Sequence, residues 1–141
     1  MENIKKLLEN MQTLSVNVRH YLHKQIAGLD LDITYEMVKI LFILSDHKYL
    51  NQQQIADLTL KNKASLTSII DNMQKRNLVI RTEDAADRRN KIISLTSHGK
   101  ETLNTVRPVL KNLFEELYQD ISNEEIEIMN NVIFKMSKVI E

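Results

Sequence analysis

The segment from Asn51 to Gly99 leaves this chain few folds to choose from, because every boundary within it carries a local chemical signal. It reads as helix, tight turn, helix, strand, charged hairpin, strand. The run NQQQIADLT opens with Asn51 and has Gln54 three residues on, a capping-box spacing in which each side chain satisfies a backbone N–H. In the short helix that follows, Ile55, Ala56 and Leu58 are expected to face inward, with Ala56 small enough for a second helix to cross closely. Thr59-Leu60-Lys61 turns the chain. The second helix, Asn62 to Arg76, carries Leu66, Ile69, Ile70 and Met73 at i, i+3, i+4 and i+7, an apolar stripe for one face.

At the helical period, Lys61, Ala64, Ser65, Ser68, Asn72 and Lys75 point away from that stripe, with Lys63 and Thr67 at its flanks. These side chains are short, hydrogen-bonding or basic. A helix that enters a major groove needs a slim surface near its N-terminus to approach base edges, and cations for phosphates. An ordinary solvated face is usually filled with Glu, Lys and Arg in i, i+4 pairs. On these residues alone both readings stay open.

The next segment favours the first. Asn77 suits the left-handed cap position after Arg76 and leads into a strand, Leu78-Val79-Ile80. A second strand runs from Lys91 to Thr96. Between them RTEDAADRRN places Asp84, Asp87, Arg88, Arg89 and Lys91 at a hairpin tip that cannot be core. An arginine on a projecting hairpin suits the narrow, electronegative minor groove beside a helix docked in the major groove. A helix-turn-helix followed by such a hairpin is the winged-helix pattern.

These residues resemble the MarR family of bacterial transcriptional regulators. Asp84 to Gly99, DAADRRNKIISLTSHG, is similar to the family's wing signature, and Asn62 to Arg81, NKASLTSIIDNMQKRNLVIR, resembles its recognition helix and following strand. The resemblance implies a single domain spanning residues 1–141 that works as a helical homodimer on double-stranded DNA. It assigns Lys63, Ala64, Ser65, Thr67 and Ser68 to the groove, Arg89 to the minor groove, and Asp87 to bracing the wing. Ser68 and Asn72 stand where the family often has a basic residue, so affinity is expected to lean on Lys61, Lys63, Lys75, Arg76 and the wing cations Arg88, Arg89 and Lys91. Asn62 and Asn72 complete the expected DNA-binding set. The resemblance also implies a small anionic or aromatic effector bound where the dimer helices meet the winged region, with Arg19, His20, His23, Tyr35 and His47 as polar contributors.

Formal neutrality runs against DNA binding only until charge is mapped along the chain. Lys61 to Lys91 holds eight cationic and four acidic residues, a net +4, whereas Ile92 to Glu141 holds five and eight, a net −3. Charge is basic at the expected reading head and acidic in the C-terminal helices. The absence of Cys excludes disulfides and thiolate metal sites. No apolar run approaches a membrane span, and the N-terminal MENIKKLLEN lacks a signal-peptide layout, so the expected location is cytoplasmic. Two glycines and one proline point to a mostly helical chain.

The expected fold is mainly α, about six helices with a small antiparallel wing, the reading head spanning about 34–96. A first helix over Glu2 to Ala27 ends near Gly28, a natural C′ residue. A second begins after Thr34, its N-cap, and runs to about Asp46. Lys48-Tyr49-Leu50 is expected to add a short strand to the wing. Thr96 caps a long helix from Ser97 to about Gln119, which Pro108 should bend rather than end, and Ser122 with Glu125 forms a capping box for the last helix. The helices over about 1–28 and 97–141 exceed what a winged head needs to cover its core, so they are expected to build a twofold homodimer. No phosphate loop, nucleophile elbow or HExxH motif indicates an enzyme, and no cofactor is expected. His20 and His23 read as helix surface rather than metal ligands. The competing functional reading is a winged helix that binds another protein and not DNA.

Overall fold

The computed structural model describes residues 1–141. The chain forms two compact units, Met1–Val109 and Leu110–Glu141. The elements in order are α1 (Glu2–Ala27), α2 (Tyr35–His47), β1 (Tyr49–Asn51), α3 (Gln52–Thr59), α4 (Lys63–Lys75), β2 (Val79–Glu83), β3 (Lys91–Leu95), α5 (Ser97–Leu117) and α6 (Asn123–Ile140). This is the mainly helical, six-helix architecture with a small wing that the sequence implies.

In the first unit the core is built where amphipathic stripes meet. Ile40, Leu41 and Leu44 of α2, Ile55 of α3, and Leu66, Ile70 and Met73 of α4 close on Leu78, Val79, Ile93 and Leu103, all buried. Each such side chain contributes about 1.5–3 kcal/mol by leaving water. The sheet is antiparallel with order β1-β3-β2. Leu50 pairs with Ile93 on one side of β3, and Arg81 pairs with Ile93 on the other. Strand alternation puts Val79, Arg81 and Ile93 on the covered face, while Ile80 is exposed. Arg107 of α5 donates to Ser45 Oγ at 2.9 Å and lies 5.6 Å from the Phe42 ring, fastening α5 to α2.

The caps form where the sequence places them. Thr34 accepts from Met37 N, the Asn51–Gln54 capping box is complete, and Thr96 Oγ1 accepts from Gly99 N at 2.9 Å. Four local expectations are corrected. Leu58 is half-exposed rather than inward, because two turns of α3 offer one narrow inner face, filled by Ile55 and Ala56 with Thr59 bonded back to their carbonyls. Gly28 is right-handed at φ −71°, and the reversal falls on Asp30 at φ 53°. Asn62 is the N-cap of α4 rather than its first turn, its Oδ1 accepting from Ser65 N at 2.8 Å. Strand β2 begins one residue later than Leu78 and runs through Arg81, Thr82 and Glu83, since these pair with Ile93, Ile92 and Lys91. The free tip is thereby reduced to residues 84–90.

α1 buries only Leu22 and Ile26, leaving Ile4, Leu8, Leu14 and Val16 exposed. In the second unit the Ser122–Glu125 capping box starts α6, whose apolar residues Ile128, Val132, Phe134 and Val139 are all exposed. α5 continues through Pro108 without ending.

Candidate nucleic-acid interface

The surface in question begins at the turn before α4. Leu60 takes the left-handed conformation at φ 53°, ψ 34°, and reverses the chain so that Asn62 can cap α4. Beyond the cap, Lys63, Ala64, Ser65 and Ser68 are exposed, presenting small or hydrogen-bonding side chains along with one cation near the helix N-terminus. Thr67 is half-buried. Its hydroxyl donates to Lys63 O at 2.8 Å and accepts from the Gln52 amide, tying α4 to α3. Asn72 donates to Ser68 O at 3.1 Å. Lys75 is exposed at the last turn.

Two of the expected phosphate cations, Lys61 and Arg76, pair with carboxylates at or before the start of α2. Lys61 Nζ lies 2.9 Å from Glu36 Oε2, both side chains about three-quarters covered. That oxygen is fully buried and its contact is the ammonium, off hydrogen-bond alignment. Burial pushes the Glu36 carboxyl upward, but contact with Lys61 and the charges of Lys61, Lys39 and Arg19 outweigh it and hold the group below the usual carboxylate range. Arg76 donates through Nε to Asp32 O at 2.9 Å and through Nη2 to Asp32 Oδ1 at 3.2 Å. Each cation therefore staples the α4 region to the region around the start of α2.

The wing is held differently along its length. Arg81 on β2 donates to Asp71 Oδ1 and to Gln74 Oε1, the latter at 3.0 Å, both on α4. Farther out, Lys91 pairs with Glu83 at 3.1 Å across the hairpin neck. Asp84 N donates to Asn90 O and Asn90 N to Asp87 O, closing the tip. Asp87 Oδ1 accepts from Arg89 N at 3.0 Å and from Arg89 Nε at 3.2 Å, while the Arg89 side chain remains 92% exposed. Asp87 thus holds both the backbone and the guanidinium of Arg89 at the tip. Arg88 is exposed beside it.

The residues expected to contact an effector separate into two groups. The His23 and Tyr35 rings lie 5.3 Å apart between α1 and α2, and Lys39 Nζ stands 5.6 Å from the Tyr35 ring. Arg19 acts on neighbouring Glu36 through its charge. His20 is exposed on α1, and His47 ends α2 about 18 Å from Tyr35 along the helix axis. One small molecule cannot touch both ends.

The helix pair, the capped second helix and the braced hairpin define a winged helix-turn-helix protein. A family model described as the MarR family matches residues 33–91. The chain is 29% identical over 105 residues to the HTH-type transcriptional regulator SarZ of Staphylococcus epidermidis, covering 73% of this chain and 71% of that one. Its fold matches AbsC, a MarR family transcriptional regulator from Streptomyces coelicolor, with TM-score 0.87, 22% identity and coverage of 99% and 95%. It also matches MepR of S. aureus in a complex with DNA, with TM-score 0.82, 22% identity and coverage of 94% and 96%. The winged region is thus similar to the MarR family, and the whole chain shares the fold of its solved members. No helix is long and apolar enough to cross a membrane.

Proposed function

We propose that the chain is a sequence-specific DNA-binding repressor that grips a pseudo-palindromic operator as a homodimer. The observation that carries this reading is the pairing of a slim polar helix face with a fully exposed, braced arginine. Ala64, Ser65 and Ser68 admit the helix axis close to base edges, with Lys63 at a phosphate. Arg89 enters the adjacent minor groove, its guanidinium already oriented by Asp87. Thr67, Asn72, Lys75, Arg88 and Lys91 border the same surface. Similar proteins lend support, SarZ being a transcriptional regulator and MepR having been solved with DNA.

Twofold symmetry follows from the unpartnered apolar faces of α1 and α6, which a second copy of the chain would cover and so place two heads on one duplex. Release of DNA is assigned to a small anionic or aromatic effector at Arg19, His23 and Tyr35, where three cations outnumber the single Glu36 carboxylate. Filter binding against a random-sequence duplex pool tests the central reading. Recovery of one palindromic sequence, bound with a steep salt dependence, is the expected result. Uniform weak binding across sequences, or none, would overturn it.

A further inference from the structure

The polar contacts of the β2–β3 hairpin change character at Arg81. From Glu83 outward, the hydrogen bonds and ion pairs are all internal to the hairpin: Glu83 with Lys91, Asp84 with Ala86 and Asn90, Asp87 with Arg89 and Asn90. Arg81 is the outermost hairpin side chain with a polar hold on another element, and that element is α4, the helix that carries Lys63, Ala64 and Ser65.

The rest of the attachment constrains other motions. Backbone pairing of β1 with β3 from Tyr49–Ser94 to Asn51–Ile92 fixes where β3 lies in the sheet. Burial of Leu78 and Val79 anchors the inner end of β2. Neither sets the roll of the free strand β2 toward or away from α4, since β2 is the sheet's edge and its outer residues have no neighbour beyond β3. The guanidinium of Arg81 does set it, because its Nη1 donates to both Asp71 Oδ1 and Gln74 Oε1 and must stay within reach of two acceptors on α4. The Arg81 side chain is 22% exposed, so the pair is partly shielded from water and salt. A small roll at Arg81 is amplified at the tip, since Arg89 lies at the far end of an otherwise free-standing hairpin.

We infer that Arg81 and Asp71 are positioning residues for DNA binding, whose ion pair fixes the angle between wing and α4 and so delivers Arg89 to its groove while Lys63 and Ser65 engage theirs. The inference rests on the DNA-binding reading above. Neither residue touches DNA in this scheme. Each acts through Arg89.

A double-mutant cycle separates this role from mere support of the fold. The probe is a duplex selected by the parent chain from a random-sequence pool. In the parent, Arg89→Ala should weaken binding about tenfold. In an Arg81→Met background, which keeps the apolar stem and removes the guanidinium, the same substitution should cost less than about threefold, because the wing no longer presents Arg89 productively. Lys63→Ala should cost equally in both backgrounds. Asp71→Asn supplies an independent cut of the brace, and Arg81→Lys should recover only part of the coupling. An undiminished cost of Arg89→Ala in both cut backgrounds overturns the inference. So does an equal fall in the cost of Lys63→Ala, which would mean that the whole head has loosened. Should Arg89→Ala bind like the parent from the start, the wing's assignment to DNA fails, and the brace loses its purpose with it.

Discussion

Gly99, in the first turn of α5, packs its backbone directly against the carbonyl of Leu78, and a Cβ built on it would lie 2.1 Å from that oxygen. The contact is part of a knot that joins three elements. Thr96 Oγ1 accepts from Gly99 N and donates toward the Asn77 and Leu78 carbonyls, and Thr96 N donates to Leu78 O at 3.1 Å. The end of α4, the end of β3 and the start of α5 are thereby held at one point. Gly99→Ala cannot be relieved by a side-chain rotation, because the obstacle is backbone. It should destabilise the chain by about 3 kcal/mol, near the upper end for overpacking. Denaturant unfolding would register this as a lower midpoint with unchanged slope.

Leu60 has the opposite relationship to its surroundings. It adopts φ 53° with its side chain 94% exposed, so a bulky L-residue occupies the left-handed region with no packing in return. That conformation costs about 1–2 kcal/mol for a residue with a Cβ. Glycine removes the strain but adds unfolded-state entropy, which takes back about 0.4–1 kcal/mol. Leu60→Gly is therefore expected to stabilise the fold by roughly 0.5–1 kcal/mol. A melting temperature at or below the parent's would show that the leucine is not strained.

The Glu36 carboxyl is held below its ordinary range, chiefly by Lys61 against the opposing effect of burial, so its contribution to stability has a defined pH window. A depressed folded-state pKa means that the unfolded chain takes up the proton first. The stabilisation is thus complete above the ordinary carboxylate pKa and is lost as pH falls through the lower folded value. Glu36→Gln should flatten this part of the stability profile on the acid side and weaken the fold at neutral pH, since it leaves the Lys61 ammonium half-buried without an anion. The double change Glu36→Gln with Lys61→Met should recover most of that loss. Urea unfolding at a series of pH values checks both statements.

These features differ in how far the sequence alone reveals them. Caps and stripes are local: Thr34, Asn51 with Gln54, Thr96, and Ser122 with Glu125 all stand at the helix starts their spacing implies. The Asp87–Arg89 brace is also readable, because its partners are two residues apart and share one tip. The ion pairs that decide which cations remain free are not local. Lys61 meets Glu36 and Arg76 meets Asp32 only once the chain has folded, so neither pairing could be seen in the run of basic residues. Arg81 looked like one residue of a charged loop until strand pairing with Ile93 turned it toward α4. Leu58 departs from its expected inward place for a related reason: in a two-turn helix the inner face holds too few positions for periodicity to separate core from flank.

The last expectation concerns self-association. Ile128, Val132 and Val139 lie at i, i+4 and i+11 on α6, which returns each to nearly the same side of the helix, and all three are exposed. Within one chain this stripe contributes little, so a charge there should leave the winged unit Met1–Val109 folded. In a dimer the same charge would be buried without a counterion, at a cost of several kcal/mol per interface. Val132→Lys is accordingly expected to shift sedimentation at micromolar concentration from dimer to monomer. On the proposed palindromic operator two linked heads bind together, so the monomer should also lose affinity by at least two orders of magnitude, while retaining weak salt-sensitive binding through one head. A Val132→Lys chain that still sediments as a dimer would place the interface elsewhere, and parent-like DNA affinity in a monomeric variant would remove the reason for a paired operator.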